Sequence, residues 1–149
     1  INGGAYTKSK GTAKVGDTLQ LRQITSSKSS TTVKTTLTVG GVKPVFSTTT
    51  LVIDSTPDAF SFTALTGIAL NSWVESESIT VSGINTPIAV SISGGEYRIN
   101  GGAYTKAKGT LKAGDTLQVR HLSSRSAKKT VTTTLTVGTT KALFKTTTQ

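Results

Sequence analysis

The chain has 149 residues, no cysteine and no methionine, and a formal net charge of +10. Without cysteine there is no disulfide framework, thiolate nucleophile or zinc–thiolate site. No apolar run approaches the roughly 18 residues of a membrane-spanning helix, so no transmembrane segment is expected.

The chain opens INGGAYTK, and the same eight residues return at 99–106. Displacing the chain by 98 positions lays residues 1–51 on 99–149 without a gap, with 32 of 51 positions identical. Self-similarity of this kind fixes the structural unit before any local reading. Residues 52–98 have no second copy, so the chain reads as half a repeat followed by a whole one. A 98-residue period suits a β-sandwich of about 100 residues. It is too long for a solenoid turn of about 20–45.

In chain order the pattern is β throughout, rich in Thr and Val and without apolar residues at helical spacing. GDTLQ at 16–20, TTLTVG at 35–40 and FSTTT at 46–50 supply the strands of the first copy. A turn at Thr56-Pro57-Asp58 precedes Phe60 and Phe62, which share a face. Trp73, Glu75 and Glu77 fall in phase with Ile79 and Val81, so that strand cannot be regular. Ile88, Val90 and Ile92 alternate before the Gly94-Gly95 turn. After Gly114-Asp115 come Leu117 and Val119, then Val131, Leu135 and Val137 alternating with threonines, and finally Phe144. Residues two apart face the same side of a sheet. The predicted core is therefore Phe60, Phe62, Ile79, Val81, Val90, Ile92, Leu117, Val119, Leu135 and Phe144.

Charge divides along the same lines. Residues 1–50 carry seven Lys/Arg and one Asp, 51–98 carry five acids and one Arg, and 99–149 carry nine Lys/Arg and one Asp. Each repeat thus has an acidic half and a basic half, and the large net charge comes from counting the basic half twice. The acidic half of one repeat is expected to meet the basic half of the next.

Candidate chemistry is thin. Asp54 and Asp58 flank the junction between repeats; two carboxylates are few for a hard cation, and turn and linker roles are expected. Trp73 is read as packing in the core, at a rim or at an inter-domain contact, or as a sugar-stacking platform. Glu75 and Glu77 accompany it as candidate contact residues. Lys106, Lys108 and Lys112 recur as Lys8, Lys10 and Lys14. They are either a stripe for an anionic polymer or solvated lysines guarding a sheet edge. Specific nucleic-acid recognition is not expected, because few stacking aromatics lie near. His121, the only histidine, stands where the first copy has Gln23. It has no plausible catalytic or metal-binding partners and is read as a strand-surface residue. No helix follows the glycine pairs, so they form no phosphate loop. No catalytic residue, metal or cofactor is assigned.

The long phrase TPDAFSFTALTGIALNSWVESESITVSGI…SGGEYRINGGAYTKAKGT…GDTLQVR resembles the tandem β-sandwich repeats of large bacterial secreted and cell-surface proteins. The resemblance covers the whole repeat and the half before it. It implies an all-β, Ig-like or fibronectin-like antiparallel sandwich, complete once and partial once. The expected organisation is a C-terminal half-repeat at 1–53, a linker at 54–58 and a complete repeat at 59–149. The implied function is a non-enzymatic structural module, extracellular or at the cell surface, in a filament, stalk or adhesin. The alternative is an accessory module that binds polysaccharide or another anionic surface. Expected partners are neighbouring repeats or identical subunits, or anionic polysaccharide. The first half is expected to be completed by upstream residues of a longer chain or by strands from a neighbouring subunit.

Overall fold

Segments rich in Thr and Val with period-two alternation favour strands. The computed structural model, which describes residues 1–149, contains eleven strands and no helix. The chain divides into a first unit, Ile1–Val52, and a second, Ile53–Gln149.

In the first unit, β1 (Thr32–Thr36) and β2 (Val45–Thr49) pair antiparallel, from Thr32↔Thr49 to Thr36↔Val45. A Val39↔Val42 bridge closes the hairpin end. The rest of this unit is without strands.

The second unit holds β3 (Leu65–Ile68), β4 (Trp73–Glu75), β5 (Ile79–Thr80), β6 (Ile88–Ser93) and β7 (Glu96–Ile99). Then come β8 (Gly109–Leu111), β9 (Thr116–Leu122), β10 (Thr130–Val137) and β11 (Thr140–Thr148). One sheet runs β3-β11-β10-β6-β8. In the other, β4 and β5 follow each other along one edge of β9 and β7 occupies the opposite edge. This follows from the register, since Glu75 and Glu96 both pair with Arg120, and Ile79 and Ile99 both pair with Leu117.

The two sheets face each other as a sandwich. Leu117 and Val119 from β9 meet Val90, Leu135, Val137, Ala142 and Phe144 from the five-stranded sheet. Seven of the ten predicted core residues are buried, and Phe60, Ile79 and Ile92 pack partly buried against them. The expected irregularity is a break at Ser76, between β4 and β5. The Ser76 N–H donates to the Val119 carbonyl, and its hydroxyl accepts from the Val119 N–H at 3.1 Å.

The sandwich is not wholly antiparallel as expected. β3 pairs parallel with β11, with a register shift after Thr147. The two strands lie at opposite ends of the unit, so no hairpin fixes their direction. Residues 54–58 are tied into the second unit. The Asp54 N–H donates to Asn85 Oδ1, the Asn85 N–H donates to the Asp54 carbonyl, and the Asp58 N–H donates to Ser82 O. Pro57 is buried between these contacts.

The acidic and basic halves of the second unit are interleaved in its sheets. Strands β3–β7 come from the acidic half, β7 running one residue past it, and β8–β11 come from the basic half. Six of the seven strand pairings in the second unit join an acidic-half strand to a basic-half strand. The exception is β10–β11. Neither half can therefore build either sheet alone.

Candidate functional site

The outer face of the four-stranded sheet carries a stacked cluster. Its side chains alternate outward along β4, β9 and β7, because successive strand residues face opposite ways. The Arg120 guanidinium lies 4.5 Å from the Trp73 ring centre and 4.0 Å from that of Tyr104. Arg98 covers the same tyrosine at 4.7 Å. The edges of both guanidiniums are also occupied. Arg120 Nη2 lies 2.8 Å from Glu96 Oε2, and Arg98 Nη2 lies 3.6 Å from Glu75 Oε2. Arg98 further donates to Gln118 Oε1 from Nε at 3.0 Å and Nη2 at 2.6 Å. The Tyr104 hydroxyl is shielded from water and meets no partner in hydrogen-bond geometry. Burial, and then the neighbouring Glu75 charge, raise its pKa, with Arg98 and Arg120 opposing. Two arginines balanced by two carboxylates leave little free cation for an anionic ligand.

Trp73 is not in the core. It stands 55 % exposed beside the exposed Leu122. Both lie on the rim of a cleft of about 320 Å³ that also takes in Ile92, Glu96 and Lys106. Lys106, Lys108 and Lys112 are all exposed and bracket β8, the edge strand of the five-stranded sheet. Glu77 is remote from the stack in role: its carboxylate accepts the Thr63 N–H at 2.6 Å. Desolvation pulls its pKa up, but this hydrogen bond and others from its surroundings together hold it below the ordinary value. Asp54 accepts from the Thr56 N–H in a local turn, and Asp58 packs against Gly83.

His121 corrects the sequence reading. It is 2 % exposed and lies within the sandwich, 5.0 Å from the Phe144 ring. Nδ1 is 2.7 Å from Thr133 Oγ1 on β10, and Nε2 is 2.7 Å from Thr146 Oγ1 on β11. Thr133 donates its own hydroxyl proton to the Gly94 carbonyl at 3.0 Å. Its oxygen must then accept from Nδ1–H, and Nε2 accepts from Thr146. Burial disfavours the charged ring and pushes its pKa below the usual value, and in the neutral ring Nε2 is the acceptor. The signal was present in the sequence, since His121 shares the inward phase of Leu117 and Val119. Gln23 makes the same bridge in the first unit, donating to Thr48 Oγ1 and accepting from Thr35 Oγ1, each at 2.7 Å. With both nitrogens engaged, His121 is a clamp between sheets and not a base.

Sequence reasoning missed Tyr104, Arg98, Arg120 and Glu96. A usable sign was the recurrence of the Tyr6–Arg22 pair, stacked at 4.2 Å, as Tyr104–Arg120. The carboxylates are dispersed, and no group of three or more potential ligands converges. No helix is long and apolar enough to cross a membrane. No protein-family model matches the chain, and no curated protein is significantly similar to it.

Proposed function

We propose that this chain is a non-enzymatic structural repeat module of an extracellular bacterial protein, working in a filament, surface stalk or adhesin. The observation that carries the reading is the interleaving of the two halves in the second unit. Six cross-half pairings make the second unit a sandwich to which both halves of one repeat length contribute, which supports its acting as one body. Modules of that kind hold length under load, and neighbouring repeats are their natural partners. The polar side chains of the cluster are spent on one another, which suits a stiff surface better than turnover.

Single-molecule stretching of the full chain tests this. The second unit should open in one event that releases its contour length of about 340 Å, from 97 residues at roughly 3.5 Å each, less the span of the folded unit. Gradual extension without a force peak would overturn the reading.

A second reading has one observation behind it. The exposed Trp73 ring at the cleft rim is a flat platform of the kind that stacks on sugars. Saturable binding to a polysaccharide array that disappears in Trp73→Ala would favour a binding module instead.

A further inference from the structure

In the first unit β1 is paired on one side only, and the second unit shows which strand its counterpart β10 holds on the other. In the second unit β6 lies between β8 and β10. Its register is Ile88↔Leu111, Ala89↔Thr110 and Val90↔Gly109 on one side, and Val90↔Val137, Ser91↔Thr136, Ile92↔Leu135 and Ser93↔Thr134 on the other. The 98-residue offset carries these walls to Gly11, Thr12 and Ala13, and to Thr36, Leu37, Thr38 and Val39. Six of those seven residues are identical in the two copies, and only Ala13 differs, standing where the second copy has Leu111. Between the two walls the first unit has a groove of about 650 Å³.

The acceptor is already shaped. β1–β2 keeps the register of β10–β11 pair for pair, from Thr32↔Thr49 against Thr130↔Thr147 onward. The turn around Asp17 is also formed: Asn2 Nδ2 donates to Asp17 Oδ1 at 2.8 Å, as Asn100 does to Asp115 at 2.9 Å. The apolar residues that would face the incoming strand stand open. Leu19 is 41 % exposed where its counterpart Leu117 is 1 %. The β1 edge on this side has no neighbour, and an unpaired edge is a template for strand addition. Charge selects the occupant, since residues 1–50 carry an excess of six positive charges and 51–98 an excess of four negative ones.

We propose that this groove is a strand-acceptor site for an acidic half-repeat of the 53–98 type, whose β6-like segment enters antiparallel to residues 36–39 and 11–13. The inference rests on the reading of the chain as a repeat module and names the partner that such a module takes. The donor is not the second unit of an identical chain, because its β6 is already held between β8 and β10.

The test titrates the intact 149-residue chain with a separate polypeptide of residues 53–98, followed by hydrogen exchange and β-sheet circular dichroism. The probe has no strand pairing among its own residues, so any sheet it gains reports docking. Saturation near one to one is expected, with new protection at 11–13 and 36–39 and at least a tenfold slowing of exchange there. A probe carrying Val90→Glu and Ile92→Glu should bind at least tenfold more weakly, which separates strand docking from simple charge attraction. A chain carrying Leu37→Glu should lose the protection while the second unit melts unchanged. Absence of protection at these residues, equal binding by the charged probe, or protection confined to the second unit would each overturn the proposal. Any of these results leaves the single force peak of the second unit untouched, so the module reading fails or stands separately.

Discussion

Residues 1–51 and 99–149 share 32 of 51 positions, yet one copy is half of a closed sandwich and the other is a lone hairpin with loops around it. GDTLQ is a buried-facing strand start at 114–118 and strandless at 16–20. The difference teaches which parts of the fold are local. β10–β11 is the only pairing inside the basic half, and it is the one that survives in the first unit as β1–β2. The Asn–Asp turn, the Tyr–Arg stack and the bridge from Gln23 or His121 to two threonines also survive, because every partner lies within the same half. Everything that needs β3–β7 is missing. Secondary structure here follows neighbours more than propensity.

The largest contrast should come from the same residue in its two settings. Phe144 is fully buried, and its counterpart Phe46 is 40 % exposed. Phe144→Ala should destabilise the second unit by about 3–5 kcal/mol. Phe46→Ala should change stability by less than about 0.5 kcal/mol, as exposed substitutions usually do. Trp73 is the sole tryptophan and lies in the second unit, so urea unfolding followed by its fluorescence reads that unit alone. Equal effects at the two positions, with circular dichroism as the global probe, would mean that the copies fold alike.

That experiment also marks the limit of what the sequence made legible. Period-two alternation found the faces of Leu135, Val137 and Phe144, and the phase conflict of Trp73 and Glu75 with Ile79 located the break that Ser76 fills. Those signals are local. The inward place of His121 was legible by the same alternation and was passed over because the residue is polar; its hydroxyl partners, 12 and 25 residues away, make burial tolerable. Strand order was not legible. The parallel β3–β11 pair and the β4–β9 pair join distant segments, and no turn between them states which edge meets which. The Trp73–Arg120–Tyr104 stack was hidden for the same reason, since its three residues come from separate parts of the chain.

A smaller effect separates the clamps. The folded state holds His121 neutral with a lowered pKa, so between that value and the ordinary value near 6.5 the unfolded chain binds more protons. Stability contributed by the neutral clamp is whole above pH 6.5 and is lost as pH falls toward the folded pKa, at up to about 1.4 kcal/mol per pH unit. Gln23 shows that an amide spans the same pair of hydroxyls without titrating. His121→Gln should therefore stay within about 1 kcal/mol of the parent at pH 7.5 and lose the slope that the parent shows as pH falls below about 6.5. A slope that persists in His121→Gln would place the titrating group elsewhere.

The smallest effect sharpens the comparison from its other side, because it concerns what the copies share. Asp17 and Asp115 sit in the same turn. The Lys14 N–H and the Asn2 amide hold the Asp17 carboxyl below the usual aspartate value. The Asn100 amide, then the Lys112 N–H, do the same for Asp115. Both carboxylates accept hydrogen bonds that only the charged form receives in full, so each turn is supported above the ordinary aspartate pKa and weakened as pH falls through the lowered one. Carbon-detected NMR titration should show both aspartates protonating below the ordinary value of about 3.9. Asn2→Ala should return Asp17 toward that value and shift only amides around residues 14–18, leaving Asp115 and the fluorescence melt unchanged. Asn100→Ala removes the equivalent bonds from a turn built into the sandwich, so it should raise the Asp115 pKa and also lower the melting temperature. If Asp17 titrates normally in the parent chain while Asp115 does not, the turn depends on the sandwich around it, and the division between local and cross-half structure has been drawn in the wrong place.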